Sequence, residues 1–370
     1  MNTLEVLATH DVDPTRGFLP AIDPIDALPD SHRVWEQTAR IFDTGDSNPR
    51  ESILAMPTLD ASGLLDDDGA TRRAMLLLSV IGSGYVQCGP LSDHRIPACI
   101  SLPWKQVSDR LGRPMIVSHA SIVLDNWGFL EGDDLTRPET LRTMARFAGG
   151  SDEDWFYLVT VSIEAIGASL IPTLVETRLA VDSGDASGVA SCLDAVTTII
   201  ERIRAMLNRM EERCRPPVFY QSVRPYLSGW PEEGIIYDQV HSKPVRLFGG
   251  SAAQSSLLQA IDAAMGITHQ DERSAYFLDA MRDYMPPSHR SFIEWFENGT
   301  TLRESAITEQ ARRSYDKAID ALDAFRRDHM AITARYITQQ GDPSAQGTGG
   351  TEYGTFLRVT RRETTDQRLD

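Results

Sequence analysis

Residues 314–339 read SYDKAIDALDAFRRDHMAITARYITQ and form a long helical pattern close to the C-terminus. Apolar side chains recur along this stretch at helical spacing. They are Tyr315, Ile319, Leu322, Phe325, Ile332 and Tyr336. His329 falls on the same stripe, seven residues after Leu322 and seven before Tyr336. The pattern therefore predicts an amphipathic helix that directs a histidine into the protein core.

A histidine in this position has two interpretations. It is a core histidine satisfied by one hydrogen bond, or it is a metal or haem ligand held on a rigid helix. His329 has no HxxxH or HExxH partner, which disfavours a site built from several histidines. A lone buried histidine suits haem, because the porphyrin itself supplies the in-plane ligands.

Helical patterns also cover most of the remaining chain. They span residues 35–42, 71–87, 134–147, 154–181 with an interruption at Pro172, 187–214, 252–265, 274–283 and 351–364. We expect residues 1–34 to form an extended surface arm and residues 88–103 to form a proline-rich loop. We expect residues 231–247 to form a loop or short strands. Because strand signals are scarce, the sequence predicts an all-α fold.

The chain has 370 residues, which is long enough for two domains and for a large core without disulfides. Glycines and acidic residues in the AGGSDED stretch, residues 148–154, suit a linker. We therefore place a boundary near residues 147–152. It separates a smaller N-terminal domain, residues 1–147, from a larger C-terminal helical bundle, residues 148–370, on which it packs.

The formal net charge of −17 argues against a nucleic-acid binder and against binding to anionic membranes. The four cysteines are Cys88, Cys99, Cys192 and Cys214. They form no CxxC pair and predict reduced thiols. The N-terminus lacks a basic segment followed by an apolar run, and the apolar stretch 75–86 is too short to span a bilayer. We therefore expect a cytoplasmic protein.

Four residues after Asp154 share one helical face, at spacings of 4, 7 and 11 residues. They are Phe156, Thr160, Ile163 and Gly167. This face either packs in the core, with Thr160 bonded to the preceding turn, or lines a pocket with a hydroxyl and a small residue.

Arg224 stands among apolar and aromatic residues, directly before Pro225. A proline disfavours helical backbone at the residue before it, so we expect an extended conformation at Arg224. An arginine in such surroundings pairs either with a carboxylate of the protein or with a carboxylate on a ligand.

Two glycine-rich loops are further candidates. Residues 248–253, FGGSAA, lead into a helix with Ser251 as its N-cap. This loop is a plain helix start, or it approaches a flat ligand or an anion closely. Residues 347–351, GTGGT, form a linker or a mobile lid.

Several longer runs together resemble the indoleamine 2,3-dioxygenase family. They are GFLP (17–20), LDNW (124–127), RPYLSGW (224–230), FGGSAAQSSLLQAIDAAMGI (248–267), FLDAMRDYMPPSHRSFI (277–293), FRRDHMAITARYI (325–337) and GTGGT (347–351). Their order and spacing hold from about residue 10 to residue 364. The resemblance implies an all-α fold whose C-terminal bundle holds haem b, with the N-terminal domain covering the distal pocket.

Residue by residue, the resemblance implies a haem site and a substrate site. At the haem site, His329 is the proximal iron ligand, Arg326 pairs with a propionate and Asp262 supports that arginine. At the substrate site, Phe156 and Phe219 form an aromatic wall for the indole, and Arg224 binds the amino-acid carboxylate. The remaining implied contacts are Gly250, Ser251 and Ala252 along the haem edge, Ile122 and Val123 in the pocket, and Thr348 in the mobile loop.

Two positions depart from the animal enzymes of this family. Thr160 replaces a distal serine, so it keeps a hydroxyl and adds a methyl group on the oxygen side. His119 lies where those enzymes have a tyrosine. It is either a distal residue that bonds the indole N–H, as a histidine does in the related tryptophan dioxygenases, or a pocket-edge residue that faces water.

The implied activity is haem-dependent cleavage of the C2–C3 bond of L-tryptophan by O2, which yields N-formylkynurenine. A reductant that keeps the iron ferrous is a further expected partner. One alternative is a related haem oxygenase that acts on a modified tryptophan or another indole in a biosynthetic pathway. Another is a catalytically silent haem sensor, which would keep His329 but would not need Arg224, Phe219 and the GTGGT loop.

Overall fold

The computed structural model describes residues 2–45, 48–89, 94–341 and 353–369. These residues are mostly helical, which confirms the predicted all-α class. The helices are α1 (Thr3–Thr9), α2 (Arg33–Ala39), α3 (Ile41–Thr44), α4 (Pro49–Leu54), α5 (Asp68–Gln87), α6 (Ala98–Leu111), α7 (Gly150–Ala168), α8 (Ile171–Asp182), α9 (Val189–Asn208), α10 (Met210–Arg213), α11 (Pro216–Val218), α12 (Ser256–Met265), α13 (Glu272–Arg282), α14 (Pro287–Glu297), α15 (Leu302–Ser305), α16 (Glu309–Thr333) and α17 (Tyr353–Thr365).

Short elements of other types connect these helices. The π-helical turns are π1 (Ala120–Leu124), π2 (Phe219–Val223) and π3 (Ala334–Thr338). The strands are β1 (Arg95–Ile96), β2 (Gly128–Phe129), β3 (Leu141–Arg142) and β4 (Ile236–Tyr237). β1 pairs with β4 in parallel, and β2 pairs with β3 in antiparallel register. The 3-10 turns are Asp30–His32, Ser62–Leu64, Pro138–Thr140, Arg224–Leu227 and Ala252–Gln254.

The long C-terminal helix forms as its apolar spacing predicts. The hydroxyl of Thr308 caps α16 by accepting a hydrogen bond from the Ala311 N–H at 3.1 Å. The stripe residues Tyr315 and Ile319 are fully buried, and α16 packs most extensively against α9. The predicted end at Gln339 is nearly reached, but the last turn widens into π3. This helix is the rigid element that carries His329.

The chain breaks where Pro172 predicts an interruption. α7 ends at Ala168, and α8 begins at Ile171 with Pro172 in its first turn, where a missing N–H breaks no helical bond. By length and composition, an 18-residue window within Gly150–Asp182 is apolar enough to cross a membrane, with a mean hydropathy of 1.8, and 67% of that window is buried. It is thus a longer apolar run than the one at residues 75–86. Such burial is typical of a core helix in a soluble helical protein.

The N-terminal residues do not form the extended surface arm that the sequence predicts. A capping box between Asn2 and Glu5 starts α1, which packs against α8. Val6 is fully buried, and Phe18 further along is 3% exposed. The prediction was wrong because the prolines and aspartates that follow dominate the composition of residues 1–34. They obscured α1, a helix of about two turns whose apolar side chains are part of the core.

The predicted loop at 88–103 is only partly correct, because α6 already begins at Ala98. Pro97 precedes the helix, and Pro103 interrupts one of its backbone bonds. Ile100, Trp104 and Val107 are fully buried. Their packing outweighs the cost of the proline.

The predicted helix at 134–147 does not form. Pro138 starts a single 3-10 turn, and β3 follows it and pairs with β2. The Asn126 side chain then holds the next residues. Its carbonyl oxygen accepts from the N–H groups of Met144 and Ala145 at 3.0 and 2.8 Å, and its amide donates to the Ala145 carbonyl at 2.9 Å. A distant side chain thus takes the backbone bonds that a helix would need. The boundary near residues 147–152 stays a prediction.

Candidate active site

A single cavity brings together nearly all the residues that the sequence singles out. Its volume is about 320 Å³, which lies within the range of small-molecule sites. The predicted site residues that line it are His119, Ile122, Val123, Phe156, Thr160, Phe219, Gly250, Ser251, Ala252, Asp262, Arg326 and His329. Arg224 is outside this lining, and Thr348, with the whole GTGGT loop, lies outside the described residues.

Three π-helical turns within the described residues supply side chains to this cavity. π1 contributes Ile122 and Val123, π2 contributes Phe219, and π3 contributes Tyr336 and Ile337. A π turn changes the direction of the side chains that follow it, and such turns are frequent at functional sites. Nothing in the sequence analysis predicted them, because apolar periodicity does not separate one turn type from another.

His329 reaches the cavity from α16 and is left without a partner on its ring. Neither ring nitrogen forms a hydrogen bond with any described residue, although the His329 carbonyl accepts from the Thr333 hydroxyl at 2.8 Å. The Phe325 ring lies nearly parallel to the imidazole, at 6.3 Å between centroids. Burial, together with the positive charge of Arg326, lowers the pKa of His329 to about 4. The imidazole is therefore neutral at physiological pH and offers a lone pair to the cavity.

Arg326 lies one helical turn before His329 and is held by a carboxylate. Its Nη2 donates to both oxygens of Asp262 at 2.7 and 2.6 Å, and its Nη1 donates to the Thr360 carbonyl on α17 at 3.3 Å. Burial alone would raise the pKa of Asp262, but the charges of Arg326 and His269 and the hydrogen bonds from Arg326 hold it below its usual value. The predicted Arg326–Asp262 pair is therefore present and ionised.

His269 and Glu363 extend this pair, and sequence reasoning missed both. His269 Nδ1 lies 2.9 Å from Glu363 Oε2, and its Nε2 lies 3.8 Å from Asp262 Oδ2. Burial disfavours the charged imidazole, but the nearby charge of Asp262 and the hydrogen bond to Glu363 together raise the pKa of His269. No sequence signal pointed to His269, because it lies in a loop and its partner is 94 residues away.

The face of α7 predicted from helical spacing lines the cavity in part. Phe156, Thr160 and Ile163 contribute to the lining. Gly167 does not, because it packs directly on α12, where a Cβ would fall 2.2 Å from Leu257 Cδ2. The Thr160 hydroxyl donates to the Phe156 carbonyl at 2.9 Å, the bond to the preceding turn. Its oxygen can therefore accept a further hydrogen bond, but its hydrogen is already in use.

Aromatic rings from three elements, α7, π2 and π3, meet at the cavity. The Phe156 and Phe219 ring centroids lie 4.8 Å apart at an angle of 47°, and Tyr336 meets Phe219 edge-on at 5.6 Å. These rings form an apolar wall suited to a flat aromatic ligand.

Arg224 has helical rather than extended backbone, with φ −53° and ψ −40°. The expectation from Pro225 was wrong because the residue joins π2 directly to the 3-10 turn Arg224–Leu227, which keeps the chain turning. Its guanidinium lies 5.3 Å from the centre of the Tyr220 ring. A Cβ at Gly341 would fall 1.9 Å from the Tyr220 hydroxyl. Arg224 is therefore close to the start of the segment that carries Thr348.

The first glycine loop starts a helical turn, as predicted, and part of it faces the cavity. A Cβ at Gly249 would come within 2.1 Å of the Leu227 carbonyl, so this glycine allows two backbone segments to touch. Gly250, Ser251 and Ala252 face the cavity. Ser251 caps the following turn by accepting from the Ala253 N–H at 3.2 Å, as predicted, although the chain runs as a 3-10 turn before α12 begins at Ser256.

His119 precedes π1 and is tied to a residue that the sequence analysis did not name. Its Nε2 lies 2.9 Å from Glu164 Oε1, and Ser255 Oγ donates to the same oxygen at 2.7 Å. All three residues line the cavity. Helical spacing could have found Glu164, because it follows Thr160 by four residues on the same face of α7.

The chain matches known proteins over nearly its whole length. The family described as "Indoleamine 2,3-dioxygenase" matches residues 6–367. The chain is 32% identical to indoleamine 2,3-dioxygenase 1 of Mus musculus over 98% of this chain and 96% of the relative. It is 33% identical to indoleamine 2,3-dioxygenase acdA of Aspergillus candidus over 96% of each chain.

A third relative differs in the substrate that its name gives. It is 6-hydroxytryptophan 2,3-dioxygenase fscD of Fusarium equiseti, 30% identical over 96% of each chain. The family match and the identities to all three relatives extend over nearly the whole chain. The chain therefore belongs to the indoleamine 2,3-dioxygenase family of oxidoreductases.

Proposed function

We propose that this protein opens the pyrrole ring of L-tryptophan with O2 and haem b, giving N-formylkynurenine. Family membership supports 2,3-dioxygenase activity on tryptophan or a related indole. The observation that carries the finer proposal is the His329 imidazole, which is neutral, makes no hydrogen bond with the described residues and faces a cavity with an aromatic wall.

The residues present fit a haem group. An imidazole lone pair is the usual axial ligand to haem iron. Arg326 lies on the same helix, and Asp262 fixes its guanidinium through Nη2. The Nε hydrogen and the second Nη1 hydrogen would be available to a propionate. Gly250 and Ser251 would lie along the haem edge. When bound, haem supplies the redox-active iron and the dioxygen chemistry, and a reductant would be needed to keep it ferrous.

The protein's own contribution is binding and orientation. Phe156 and Phe219 would hold the indole by stacking, with Ile122 and Val123 closing the apolar pocket. Arg224 would bind the amino-acid carboxylate through a charge-assisted pair. Its position near Gly341 supports this role, because Thr348 follows in the same segment and would help to close over the substrate. Ala252 would contact the substrate from the glycine loop.

His119 and Thr160 would shape the side of the pocket that receives oxygen. We propose that His119 accepts a hydrogen bond from the indole N–H. Thr160 would contribute its methyl group and an acceptor oxygen, because its hydrogen is used within α7. No strong general base is required, since the substrate is positioned for reaction by proximity.

The placement of these residues suits the proposed division of the chain. Residues 1–147 contribute His119, Ile122 and Val123 to the distal side, and residues 148–370 contribute the haem-binding helix. The four cysteines are unpaired and three of them are buried, which is compatible with the cytoplasmic location that we propose.

A second candidate substrate is a tryptophan that carries a hydroxyl group. The polar pair His119–Glu164 interrupts the apolar lining, and it would accept a hydrogen bond from such a group. The name of the Fusarium relative, a 6-hydroxytryptophan 2,3-dioxygenase, agrees with this alternative.

Product mass with isotopically labelled dioxygen tests the proposal. The ferrous, haem-loaded protein is mixed with L-tryptophan and ¹⁸O2. A product with the mass of N-formylkynurenine and two labelled atoms is expected. One labelled atom would indicate a monooxygenase, and no product from L-tryptophan together with a doubly labelled product from a hydroxytryptophan would establish the second candidate.

A further inference from the structure

Glu164 is a buried carboxylate whose hydrogen bonds are incomplete. Its residue is 2% exposed, in the middle of α7. Its Oε1 accepts two hydrogen bonds, from His119 and Ser255. Its Oε2 is buried without a hydrogen-bond partner among the described residues. A buried carboxylate oxygen without a partner destabilises a fold, so stability does not explain why a glutamate stands here.

The contact with Glu164 determines which nitrogen of His119 carries hydrogen. An ionised carboxylate accepts hydrogen bonds and cannot donate them. The hydrogen in the His119–Glu164 bond therefore belongs to Nε2 of the imidazole. When the imidazole is neutral, only one of its nitrogens is protonated, and Nδ1 then keeps its lone pair. Nδ1 forms no hydrogen bond with any described residue, and the ring lines the cavity.

The glycine loop holds this arrangement from a second side. The backbone N–H of His119 donates to Gln254 Oε1 at 2.9 Å, and Gln254 Nε2 donates to the Gly249 carbonyl at 2.9 Å. Ser255, the next residue, bonds Glu164. One loop therefore fixes both the backbone of His119 and the carboxylate that orients its ring. His119 is 4% exposed, so the ring has little freedom to turn.

We propose that Glu164 is a positioning residue that makes His119 a hydrogen-bond acceptor for the ring N–H of the substrate. The inference rests on the proposed function and adds to it a residue and a selection rule. With Nε2–H held by Glu164, Nδ1 accepts from an N–H donor and rejects a ligand that presents an oxygen atom in its place. The pocket therefore selects substrates whose five-membered ring carries an N–H.

The binding test compares two ligands of nearly the same shape. They are L-tryptophan and its benzofuran analogue, in which oxygen replaces the ring N–H. Dissociation constants are measured in the haem-loaded protein from the change in the haem absorption spectrum. We expect the native protein to prefer L-tryptophan by roughly tenfold or more, the worth of one buried hydrogen bond. In Glu164→Gln and in His119→Phe the preference should fall towards unity.

The control variant is a glutamate-to-glutamine substitution at another position on α7. Glu153 is a fully buried glutamate on α7 that bonds the Phe147 and Gly149 N–H groups and the Tyr157 hydroxyl, outside the cavity lining. Glu153→Gln should keep the native preference. A preference that is unchanged in Glu164→Gln, or lost equally in Glu153→Gln, would overturn the proposal.

A second measurement reads the tautomer directly and needs no turnover. Nitrogen-15 NMR of histidine-labelled protein distinguishes protonated from unprotonated ring nitrogens, and His119→Phe assigns the signal. We expect Nε2–H and an unprotonated Nδ1 in the native protein, and a mixture of tautomers in Glu164→Gln. Protonated Nδ1 in the native protein would refute the proposal even if the variant does not fold.

The outcomes separate this proposal from the proposed function. If the native protein oxidises no indole substrate, the proposed function fails. If it forms N-formylkynurenine but binds both ligands equally, the proposed function stands and the role of Glu164 is refuted.

Discussion

Two regions of the cavity hold their histidines in opposite ways. α16 presents His329 with no hydrogen bond to its ring from the described residues, and burial keeps it neutral with a pKa of about 4. The segment that leads into π1 presents His119 with its Nε2 bound to Glu164 and its backbone bound to Gln254. An unbonded lone pair suits a metal ligand, whereas a fixed tautomer suits recognition of a hydrogen-bond donor. The same residue type thus acquires different chemistry from its neighbours.

The two histidines also differ in how far along the sequence the residues that position them lie. His329 is positioned by one helix, whose register alone directs the ring inward. His119 depends on α7 and on the glycine loop, which are 45 and 135 residues away in sequence. We therefore expect substitutions in the α16 region to change cofactor binding, and substitutions around His119 to change substrate selection.

The largest expected effect is at His329. His329→Ala should abolish stable haem binding, because this residue would ligate the haem iron. The haem absorbance of the purified, reconstituted protein measures this loss. His289→Ala is the matched control, since burial also keeps His289 neutral, with a pKa of about 3, and it lies outside the cavity lining. Normal haem content in His329→Ala would contradict the assignment.

The next effect is at Arg224, and it should fall on substrate binding while haem is retained. Arg224→Ala should raise KM for L-tryptophan by roughly 10- to 100-fold, because the carboxylate loses a charged hydrogen-bond partner. Steady-state kinetics of the ferrous enzyme measure the change. Arg224→Lys should recover part of the loss, and a KM close to that of the native protein would show that Arg224 does not bind substrate.

A smaller effect is expected on the pH dependence of stability, through His269 at the edge of the cavity near α16. The pKa of His269 is raised in the folded protein, so its contribution to the free energy of unfolding is fully present below its ordinary value of 6.5. The contribution is lost as pH rises through the folded value. Stability of the native protein to urea should therefore decline as the pH rises above about 6.5 and passes through the raised pKa of His269.

His269→Gln should remove this part of the pH dependence, because glutamine does not titrate in this range. The comparison also tests whether the Arg326–Asp262 pair depends on its second partner. An identical pH profile in the native protein and in His269→Gln would contradict the stabilising role of the His269–Glu363 contact.

The smallest effect is expected at Thr160, in the part of the cavity near His119. Thr160→Val keeps the shape and removes a hydroxyl whose hydrogen already bonds the Phe156 carbonyl. We expect kcat/KM to change by less than about threefold, because the hydroxyl that is removed bonds its own helix and has no hydrogen left to donate to a ligand. A loss of about 100-fold would instead show that the hydroxyl assists the reaction directly.

Long apolar periodicities predicted the helices well, and short irregular segments were predicted poorly. The stripe from Tyr315 to Tyr336 located α16 and the direction of His329. The break at Pro172 was also predicted, because proline removes a backbone donor wherever it occurs. The helix predicted for residues 134–147 was wrong, because the side chain of Asn126 accepts hydrogen bonds from the backbone there, and no local sequence pattern reveals that contact.

The site residues divide in the same way. Matching motifs named His329, Arg326, Asp262, Phe156 and Phe219, and the structure gathers them at one cavity. Sequence reasoning missed Glu164 as the partner of His119 and His269 as the partner of Glu363. Each of these contacts joins residues that are distant in the chain, so only the folded backbone brings them within bonding distance.

By itself, the sequence determined the helical class, the inward-facing histidine on α16 and the family to which the chain belongs. These properties depend on spacing along the chain or on residue identity at matched positions. The tertiary structure alone decided where the π turns fall, which tautomer His119 adopts and which groups surround Arg326. These properties depend on hydrogen bonds between distant segments, and their geometry exists only once the chain has folded.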